Sequence, residues 1–519
     1  MVAQVLPPER AVYHPSDSLF SEMKTYLDSL EALRMDHSDL ERELNLRGNA
    51  LIRQLLQDHL TVRSPGAIQG EAVDHEGTVH KQARPQTRQL ETIFGTVTVD
   101  RYGYAAPGTD SLHPLDAALN LPEDSFSFGV RRRVAEEAAK GSFEEAAETV
   151  SRTTGAHVAK RQAEELTVRS AQDFEAFYAL RRETALVKDP AGSILVVSFD
   201  RKGVVMRKED LREPTRKAAE ASQHKLQTRL SSGEKRKAKR MATVGAVYTV
   251  APHPRKPEDI IGVLGEPSPK KGKPDRPKPE VKRVMASLMR IPEEVVKEIF
   301  DAAVHRDSKG TKDWVALVDG DPTLMRLIKK EAGQRKILVR TVIDFVHVTE
   351  YVWRAGTAFH QPGTKELEAW VHDRLRDILS GHASQVAAGM RRSATIRELP
   401  AEDRKVIDDC ARYLLNRKLS LGYKWFLEKG YHIATGVIEG ACRHLVKDRM
   451  DRTGARWSLT GAEAILRLRA LISSGDFDEY WEFHEAQEKQ RNHVARYRDG
   501  VIPDVLLPIR KGGPRISGS

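Results

Sequence analysis

Apolar positions in the first third of the chain follow a helical period and then a strand period. Between Ser16 and about Leu60, leucines recur at spacings of three and four, which predicts one or two amphipathic helices. Between Leu90 and Tyr104, apolar and polar residues alternate around Gly95, which predicts a β-hairpin with a turn or bulge at that glycine. The chain is therefore expected to begin with a mainly helical region that contains a β-hairpin.

A helical pattern resumes at Ser142. Ser142 and Glu145 have the spacing of a capping box, and Gly155 interrupts the pattern. The two halves fit a helix-turn-helix whose second helix presents Lys160 and Arg161 to DNA. Because the connection SRTTGAH is longer than the tight turn of that motif, an ordinary helical hairpin is the alternative.

Strand-like and helical runs alternate from Ser193 onward. SILVVSFDRKGVVMR predicts a strand that ends in a charged cluster and a second strand after a short reversal, and ATVGAVYTVAP predicts a third. There follow a helix in IPEEVVKEIFDAAV, a strand in WVALVDGD, a helix, and a strand in ILVRTVIDFVH. This order predicts a mixed sheet with flanking helices. Residues 348–430 and 436–473 have helical patterns, and the tail from Ile502 is expected to be frayed.

Positive charge is concentrated in two segments beside the predicted sheet. Over the whole chain, 84 lysines and arginines exceed 74 acidic residues by 10. Residues 207–240 hold 12 basic and 5 acidic residues, and residues 267–283 hold 7 basic and 2 acidic residues with five prolines. Both segments are expected to be solvated loops or arms, suited to a polyanionic partner such as DNA.

Composition and missing motifs exclude several classes of protein. The two cysteines, Cys410 and Cys442, are too few for a disulfide framework or a structural zinc knuckle, which favours a reducing cytosol. No apolar run approaches the roughly 18 residues of a membrane span, and the N-terminus lacks a signal-peptide core. The motifs of nucleotide-binding loops, zinc proteases and serine hydrolases are absent, and HEAQE at His484 has the wrong last residue for a zinc helix. We therefore expect a cytoplasmic protein with neither a membrane partner nor a nucleotide cofactor.

Three acids are candidates for metal chemistry because of their positions. Asp200 follows the apolar run ILVVSF, Asp319 follows WVALV, and Glu439 begins a helical stretch. Carboxylates at strand ends open into the crevice at the edge of a sheet. Three oxygen ligands favour Mg²⁺ or Mn²⁺, the ions of phosphoryl transfer. The alternative is that Asp200 and Asp319 merely cap helices or turns.

The sequence around these acids is more specific. VSFDRKGVVMR, WVALVDGDPTL, VIDFVHVTEYVWRAG and GVIEGACRHLVKDRMDRTGARW occur in this order. Together they resemble the core of DDE transposases from bacterial insertion sequences, most closely the ISKra-like group, related to the Mutator-type superfamily. The resemblance covers about residues 193–484. It implies an α/β, RNase H-like catalytic core with an all-helical insertion, and a catalytic, metal-binding triad of Asp200, Asp319 and Glu439.

Three further residues have possible supporting roles. Asp321 is a second candidate beside Asp319, although Asp319 holds the family's VDG position. Asp344 and His347 match a Mutator-type motif of an acid, two residues and a histidine. A hydrogen-bonding role next to the metal ligands would explain the motif, and a buried core position for His347 is the alternative.

Cations follow Glu439 closely. On a helix, positions 439, 443 and 447 share a face, which would align the carboxylate with groups that contact phosphates. The candidates for DNA contact in this region are Arg443, His444, Lys447, Arg456 and Trp457. Trp457 could stack on an unpaired base, or it could anchor a helix junction.

We expect a DNA transposase that cuts the ends of an insertion sequence and joins them to target DNA. The implied partners are terminal inverted repeats, target DNA and further copies of the chain. There are two alternatives. One is a nuclease of the same fold without strand transfer, and the other is a domesticated or inactive element that only binds DNA. The predicted division is 1–88 (helical), 89–185 (hairpin and DNA-binding region), 193–347 (first part of the core), 348–430 (helical insertion), 431–485 (end of the core) and 486–519 (tail).

Overall fold

The computed structural model describes residues 12–184, 192–221, 238–265, 277–452 and 454–506. The chain divides into two units. One comprises Met1–Asp173 and Asp478–Ser519, and we call it the terminal unit; the other, Phe174–Phe477, is the sheet unit. The sheet unit is thus inserted between two parts of the terminal unit.

The helices and strands follow one another in this order. The first part contains α1 (His14–Leu27), α2 (Leu30–Leu33), α3 (His37–Arg63), β1 (Ala72–Val73), β2 (Val79–His80), β3 (Gln82–Thr92), β4 (Gly95–Ala105), α4 (Pro114–Leu119), α5 (Phe128–Lys140), α6 (Phe143–Thr153) and α7 (Lys160–Ser170). The middle contains α8 (Phe174–Glu183), β5 (Ile194–Val205), α9 (Glu213–Glu220), β6 (Lys239–Val250), α10 (Pro257–Gly265), β7 (Glu280–Ser287), α11 (Pro292–Arg306), β8 (Asp313–Val318), α12 (Pro322–Gln334) and β9 (Val339–Ile343). The remainder contains α13 (Phe345–Gly356), α14 (Lys365–Leu379), α15 (Ala383–Ile396), α16 (Ala401–Asn416), α17 (Tyr423–Glu428), α18 (Gly436–Ala441), α19 (Asp448–Met450), α20 (Leu459–Ser474) and α21 (Phe477–Asn492).

The predicted β-hairpin is confirmed as β3 and β4. Its antiparallel register closes at the pair Thr92–Gly95, and Gly95 has a φ of +118°, a conformation that favours glycine. The hairpin begins at Gln82, so residues 82–88, which were assigned to the helical region, form a strand. These residues are polar and mostly exposed, and no apolar alternation therefore marked them as a strand.

Helices α5, α6 and α7 pack around one apolar cluster of the terminal unit. Val130 of α5, Val150 of α6 and Leu166 of α7 are buried in it. The predicted capping box at the start of α6 is confirmed, because Ser142 and Glu145 each accept a hydrogen bond from the other's backbone N–H. The helical pair of the prediction is thus part of a three-helix group.

The connection between α6 and α7 rests on the tip of the hairpin. The backbone N–H of Gly155 donates a 2.8 Å hydrogen bond to the carbonyl of Ile93. A Cβ atom at Gly155 would lie 2.4 Å from the carbonyl carbon of Phe94, closer than real Cβ contacts. Only glycine therefore allows this approach of the two backbones.

Five strands of the sheet unit form a mixed sheet in the order β7-β6-β5-β8-β9. β5, β6 and β7 are antiparallel neighbours, whereas β8 and β9 run parallel to β5. The strands are apolar and buried over most of their length, and α11, α12 and α13 contribute to the same core. The predicted mixed sheet with flanking helices is confirmed.

The predicted break in the first strand of this sheet is wrong. β5 runs without reversal from Ile194 to Val205, because β6 pairs with it along its whole length. β8, in contrast, pairs with β5 only as far as Phe199. The charged residues after Phe199 therefore belong to a strand that extends beyond its parallel neighbour.

Strand β7 was not predicted. Its first residues, Glu280–Arg283, belong to the basic segment 267–283, which was expected to be solvated. Arg283 is buried, forms a 2.6 Å ion pair with Glu298 and lies 3.6 Å from the ring centre of Tyr178. The ion pair and the aromatic ring offset the cost of burying the guanidinium, although its Nε has no hydrogen-bond partner among the described residues.

Parts of the two basic segments lie outside the described residues. These parts are residues 267–276 of the second segment and residues 222–237 of the first. The described portion of the first segment includes the short helix α9.

The helical predictions for the later part of the chain are confirmed. Helices α13 to α17 occupy residues 345–428, and helices recur from 436 to 474. The second region is irregular, because α18 passes into a π-helical turn at Cys442–Lys447 before α19. Among the described residues, no helix combines the length and apolar character of a membrane span.

Residues 502–506, predicted to be frayed, include two that form backbone hydrogen bonds with the segment after α3. The backbone N–H of Gln69 donates to Asp504, and that of Leu506 donates to Ala67. Helix α21 lies almost entirely in the terminal unit, whereas the prediction assigned its first half to the core and the rest to the tail. Residues 507–519 lie outside the described residues.

Candidate functional site

The register of the parallel strands aligns three acids at one edge of the sheet. Phe199 of β5 pairs with Val318 of β8, and Val318 pairs with Ile343 of β9. The residues that follow these three positions form a row of carboxylates: Asp200, Asp319 and Asp344. The sheet therefore brings Asp200 and Asp319 onto neighbouring strands, and it adds Asp344 to them.

Asp200 is held by groups on two elements. Its own strand contributes the Nζ of Lys202, 3.5 Å from Oδ2, and the backbone N–H of Arg201, which donates to Oδ1. The thiol of Cys442, in the π-helical turn, donates to Oδ2 over 3.0 Å. Because β6 continues past this point, Asp200 lies inside a strand and caps neither a helix nor a turn.

Asp319 and Asp321 have different environments. Asp319 accepts a 2.9 Å hydrogen bond from the backbone N–H of Asp321. Asp321 caps helix α12 by accepting from the backbone of Thr323 and Leu324, and it forms an ion pair with Arg201. Burial alone would raise the pKa of Asp321, but these hydrogen bonds and the guanidinium lower it. Asp321 therefore takes part in a helix cap and an ion pair. Asp319 lies in the carboxylate row and also caps the turn that leads to Asp321, as the alternative for this residue predicted.

Asp344 is fully buried and caps helix α13. It accepts a 2.9 Å hydrogen bond from the backbone of Val346 and another from the hydroxyl of Thr435. Burial and the charge of Glu439 raise its pKa, against the hydrogen bonds, which lower it. His347 is 37% exposed and lies 3.5 Å from Glu350, so the alternative of a buried core histidine is wrong.

Glu439 is exposed on α18 and is linked to the row through Thr435. The hydroxyl of Thr435 lies 3.3 Å from Oε1 of Glu439 and also reaches Asp344. Of the described residues, the three predicted ligands do not form a group whose oxygens all lie within 4.8 Å of one another. The structure thus places Asp200 and Asp319 directly after paired residues of two neighbouring strands, and Thr435 links Glu439 to Asp344.

The cations after Glu439 are exposed. Arg443 lies 3.5 Å from Asp448, and His444 lies 3.2 Å from the same carboxylate. Lys447 and Arg456 also face solvent. Positions 439, 443 and 447 are all exposed, but the turn that carries the last two is π-helical and not the α-helix on which the predicted common face was based.

Trp457 has the anchoring role that was the alternative to base stacking. It is 6% exposed, its indole N–H donates to the carbonyl of Met450, and Arg449 lies over its ring at 4.6 Å. Its backbone also pairs with Val205 and Arg207 beyond the end of β5. Stacking on a base would require Trp457 to leave this packing.

Lys160 and Arg161 lie at the start of α7 in the terminal unit, and both are exposed. Lys160 forms a 2.9 Å ion pair with Glu144, and Arg161 forms a 3.0 Å ion pair with Glu165. Surface ion pairs of this kind are weak, so phosphates can compete for both cations.

A buried group in the terminal unit was not predicted. Asp173, His484 and Glu488 have ligand atoms within 4.8 Å of one another, and the group could hold a metal ion. His484 Nδ1 lies 2.7 Å from Asp173, and its Nε2 is buried without a hydrogen-bond partner. In the sequence, HEAQE excludes a zinc-protease helix at His484, and the contact with Asp173, 311 positions away, arises only in the fold.

Arginines already neutralise both acids of this group. Arg491 donates to Asp173 over 3.0 Å and to Glu488 over 2.7 Å, and Arg131 donates to Glu488 over 2.9 Å. A cation bound here would have to compete with two guanidinium groups. The contacts therefore also explain the group as an ion-pair network that fixes α21 within the terminal unit.

Comparisons with protein-family models and with curated proteins find no match for this chain.

Proposed function

We propose that this protein is a DNA transposase that cuts the ends of its element and joins them to target DNA by metal-dependent phosphoryl transfer. The observation that carries the proposal is the row formed by Asp200, Asp319 and Asp344, to which Thr435 links Glu439. The strand order, with three antiparallel strands followed by two parallel ones, supports the RNase H-like core that the sequence resemblance implies.

The donor set suits Mg²⁺ or Mn²⁺. Asp200, Asp319 and Glu439 would hold the ion and offer only oxygen ligands. The nearby Cys442 does not add a thiolate, because burial and the adjacent Asp200 raise the pKa of its thiol. Such an ion, when bound, would activate a water molecule and stabilise the leaving oxygen of a phosphodiester.

The proposed reaction has two steps at one site. A water oxygen bonds to phosphorus at the end of the element, and the bond to the 3′ oxygen breaks, which leaves a 3′ hydroxyl. This hydroxyl then attacks a phosphodiester of the target and displaces the target's 3′ oxygen. Because two ends must be joined, the reaction calls for more than one copy of the chain on the DNA.

Exposed cations in both units would bind the DNA. Arg443 and Lys447 follow Glu439 on an exposed face and would contact phosphates near the cut. Lys160 and Arg161 would contact the terminal repeats. These contacts neutralise backbone charge, so binding should weaken as salt rises.

The decisive experiment compares the wild type with Asp200→Asn on two substrates, an uncut element end and a pre-cut end with target DNA. We expect the variant to bind the end but to lose both cleavage and joining in Mg²⁺. Asp373→Asn, which changes an exposed acid on α14, is the matched control and should retain both activities.

Other outcomes favour the alternatives. Cleavage without joining by the wild type would indicate a nuclease of the same fold. End binding without either reaction would indicate a DNA-binding protein. Full activity of Asp200→Asn would overturn the assignment of the site.

A further inference from the structure

A polar cavity of about 420 Å³ lies within the terminal unit, apart from the carboxylate row. It is lined by residues of β3 and β4, by the start of α4 and by the segment at the end of α21 and beyond it. Its volume lies within the range of small-molecule sites, roughly 300 to 1,000 Å³.

The wall of this cavity contains three half-buried arginines and one buried aspartate. Arg88 and Arg101 both form ion pairs with one carboxylate, that of Asp116. Arg496 donates to the carbonyl of Ser111, and in the described part of the chain no carboxylate pairs with it. Two of the three guanidinium groups therefore share one buried acid and the third has none among the described residues, while the other acids of the lining are exposed. An anion inside the cavity would balance this charge.

Several buried polar atoms of the lining have no hydrogen-bond partner. Tyr497 is 3% exposed, and its hydroxyl is one of these atoms. Nε of Arg101 and Oδ1 of Asp116 are two more. Buried polar atoms without partners are rare because each costs about 1 to 3 kcal/mol. The hydroxyl of Tyr497 and Nε of Arg101 can each donate a hydrogen bond, and Oδ1 of Asp116 can accept one. A ligand with both acceptors and hydroxyl donors would satisfy these three atoms.

Burial and the positive charge of the cavity lower the pKa of two histidines in its lining. Burial and the neighbouring Arg101, Arg496 and Arg88 lower the pKa of His113 to about 4. Burial likewise lowers the pKa of His493, with a contribution from Arg496. Both imidazoles are therefore neutral near pH 7 and leave the arginine charge for a ligand.

We propose that this cavity binds a small phosphate monoester that carries hydroxyl groups, such as a sugar phosphate or a nucleotide. The arginines would hold the phosphate, because guanidinium groups match its geometry and charge. The hydroxyl of Tyr497 would donate to the ligand, and Oδ1 of Asp116 would accept from a ligand hydroxyl. The site is independent of the proposed cleavage reaction.

Calorimetric titration of the full chain tests this proposal with four probes: inorganic phosphate, ribose 5-phosphate, adenosine 5′-monophosphate and adenosine. We expect at least one of the two esters to bind more tightly than inorganic phosphate, and adenosine not to bind. A preference between the esters identifies the source of the phosphate. Failure of both esters to bind at millimolar concentration, or equal binding of phosphate and both esters, would overturn the proposal.

Two variants locate the binding. Arg496→Gln should weaken ester binding about tenfold, the effect of losing one charged hydrogen bond. Tyr497→Phe removes a hydroxyl that lacks a protein partner, so it should preserve the fold and weaken binding about fivefold. Arg498→Gln changes an exposed arginine outside the lining and should leave binding unchanged. Unchanged affinity in both lining variants, or displacement of the ester by an equal concentration of duplex DNA, would overturn the assignment.

Discussion

The thiol of Cys442 donates a hydrogen bond to the carboxylate of Asp200 over 3.0 Å. Asp200 lies on the central strand of the sheet, and Cys442 lies in the π-helical turn three residues after Glu439. The contact therefore fixes the distance between the strand and the helix that carry two of the three proposed metal ligands. Neither residue type nor spacing indicated this link, because 242 positions separate the two residues.

Loss of this hydrogen bond should slow the proposed cleavage. In Cys442→Ala we expect a rate about fivefold lower, the effect of one hydrogen bond of about 1 kcal/mol. Cys442→Ser keeps a donor and should stay within about twofold of the wild type. Single-turnover cleavage at saturating DNA measures both rates. Cys410→Ala, at the other buried cysteine, is the control, and equal rates for all four proteins would contradict the role of Cys442.

Both cysteines should resist alkylation in the folded protein. Burial raises the pKa of Cys410 to about 12 and also raises the pKa of Cys442, so almost no thiolate exists at pH 8. Mass spectrometry after treatment with iodoacetamide should find neither residue modified until denaturant is added. Rapid labelling of Cys442 in the native protein would show that its pocket opens.

The connection between α6 and α7 should tolerate only glycine at position 155. We expect Gly155→Ala to destabilise the protein by about 2 kcal/mol, because its Cβ would collide with the backbone of Phe94. Gly48→Ala is the matched control, since a Cβ there meets no atom within 4 Å and lies in the middle of α3. That variant should be stabilised by about 1 kcal/mol. Equal thermal midpoints for the two variants would contradict the close approach at Gly155.

The start of α7 should contribute to DNA binding. We expect the double variant Lys160→Ala and Arg161→Ala to bind the element end more weakly and to show a salt dependence lower by about one to two phosphate contacts. Arg133→Ala with Lys140→Ala is the control, because it removes two similar ion-paired cations from α5. Titrations by fluorescence anisotropy at several salt concentrations give both quantities. If the two double variants behave alike, recognition lies elsewhere.

The buried network around Glu488 should make the terminal unit sensitive to acid. Burial alone would raise the pKa of Glu488, but hydrogen bonds and charges from Arg491 and Arg131 lower it below its ordinary value of 4.5. Its contribution to stability is therefore complete above pH 4.5 and is lost as the pH falls through the lowered pKa.

Glu488→Gln tests this network. We expect the variant to lose about 3 kcal/mol at pH 7, because Asp124 is then the one anionic partner of Arg131 in the described part of the chain. Its stability should also fall less steeply than that of the wild type below pH 4.5. Glu482→Gln, at an exposed position of the same helix, should match the wild type. If the stability of Glu488→Gln fell with pH as steeply as that of the wild type, the Glu488 carboxylate would not be the cause of the acid sensitivity.

Most of the sheet could be predicted from the sequence because its strands contain long apolar runs, and Asp200 and Asp319 were found as the acids that follow two of these runs. Strand β7 could not be predicted, because Arg283 is accommodated in it only by Glu298 and Tyr178, which are distant in sequence. Likewise, the sequence does not predict that β5 continues through its charged residues, because its continuation depends on pairing with β6.

Residues that support the carboxylate row, and those of the Asp173, His484 and Glu488 group, make contacts between positions that are far apart in the sequence. His484 and Glu488 are four apart on a helix, a spacing too common to be informative, and Asp173 lies 311 positions from His484. Likewise, nothing in the sequence marks Thr435 or Cys442. Their hydrogen bonds to Asp344 and Asp200 are visible only in the structure. Sequence patterns therefore found the ends of the apolar runs, whereas the groups that surround those ends could be found only in the structure.

The division of the terminal unit between both ends of the chain constrains when it can fold. Arg131 finds its partner Glu488 only after the entire sheet unit has been synthesised. A nascent chain that stops before residue 478 therefore exposes α5 to α7 without the helix that completes their surroundings. In a cell, the proposed DNA-recognition surface would thus mature only on chains that already carry the carboxylate row.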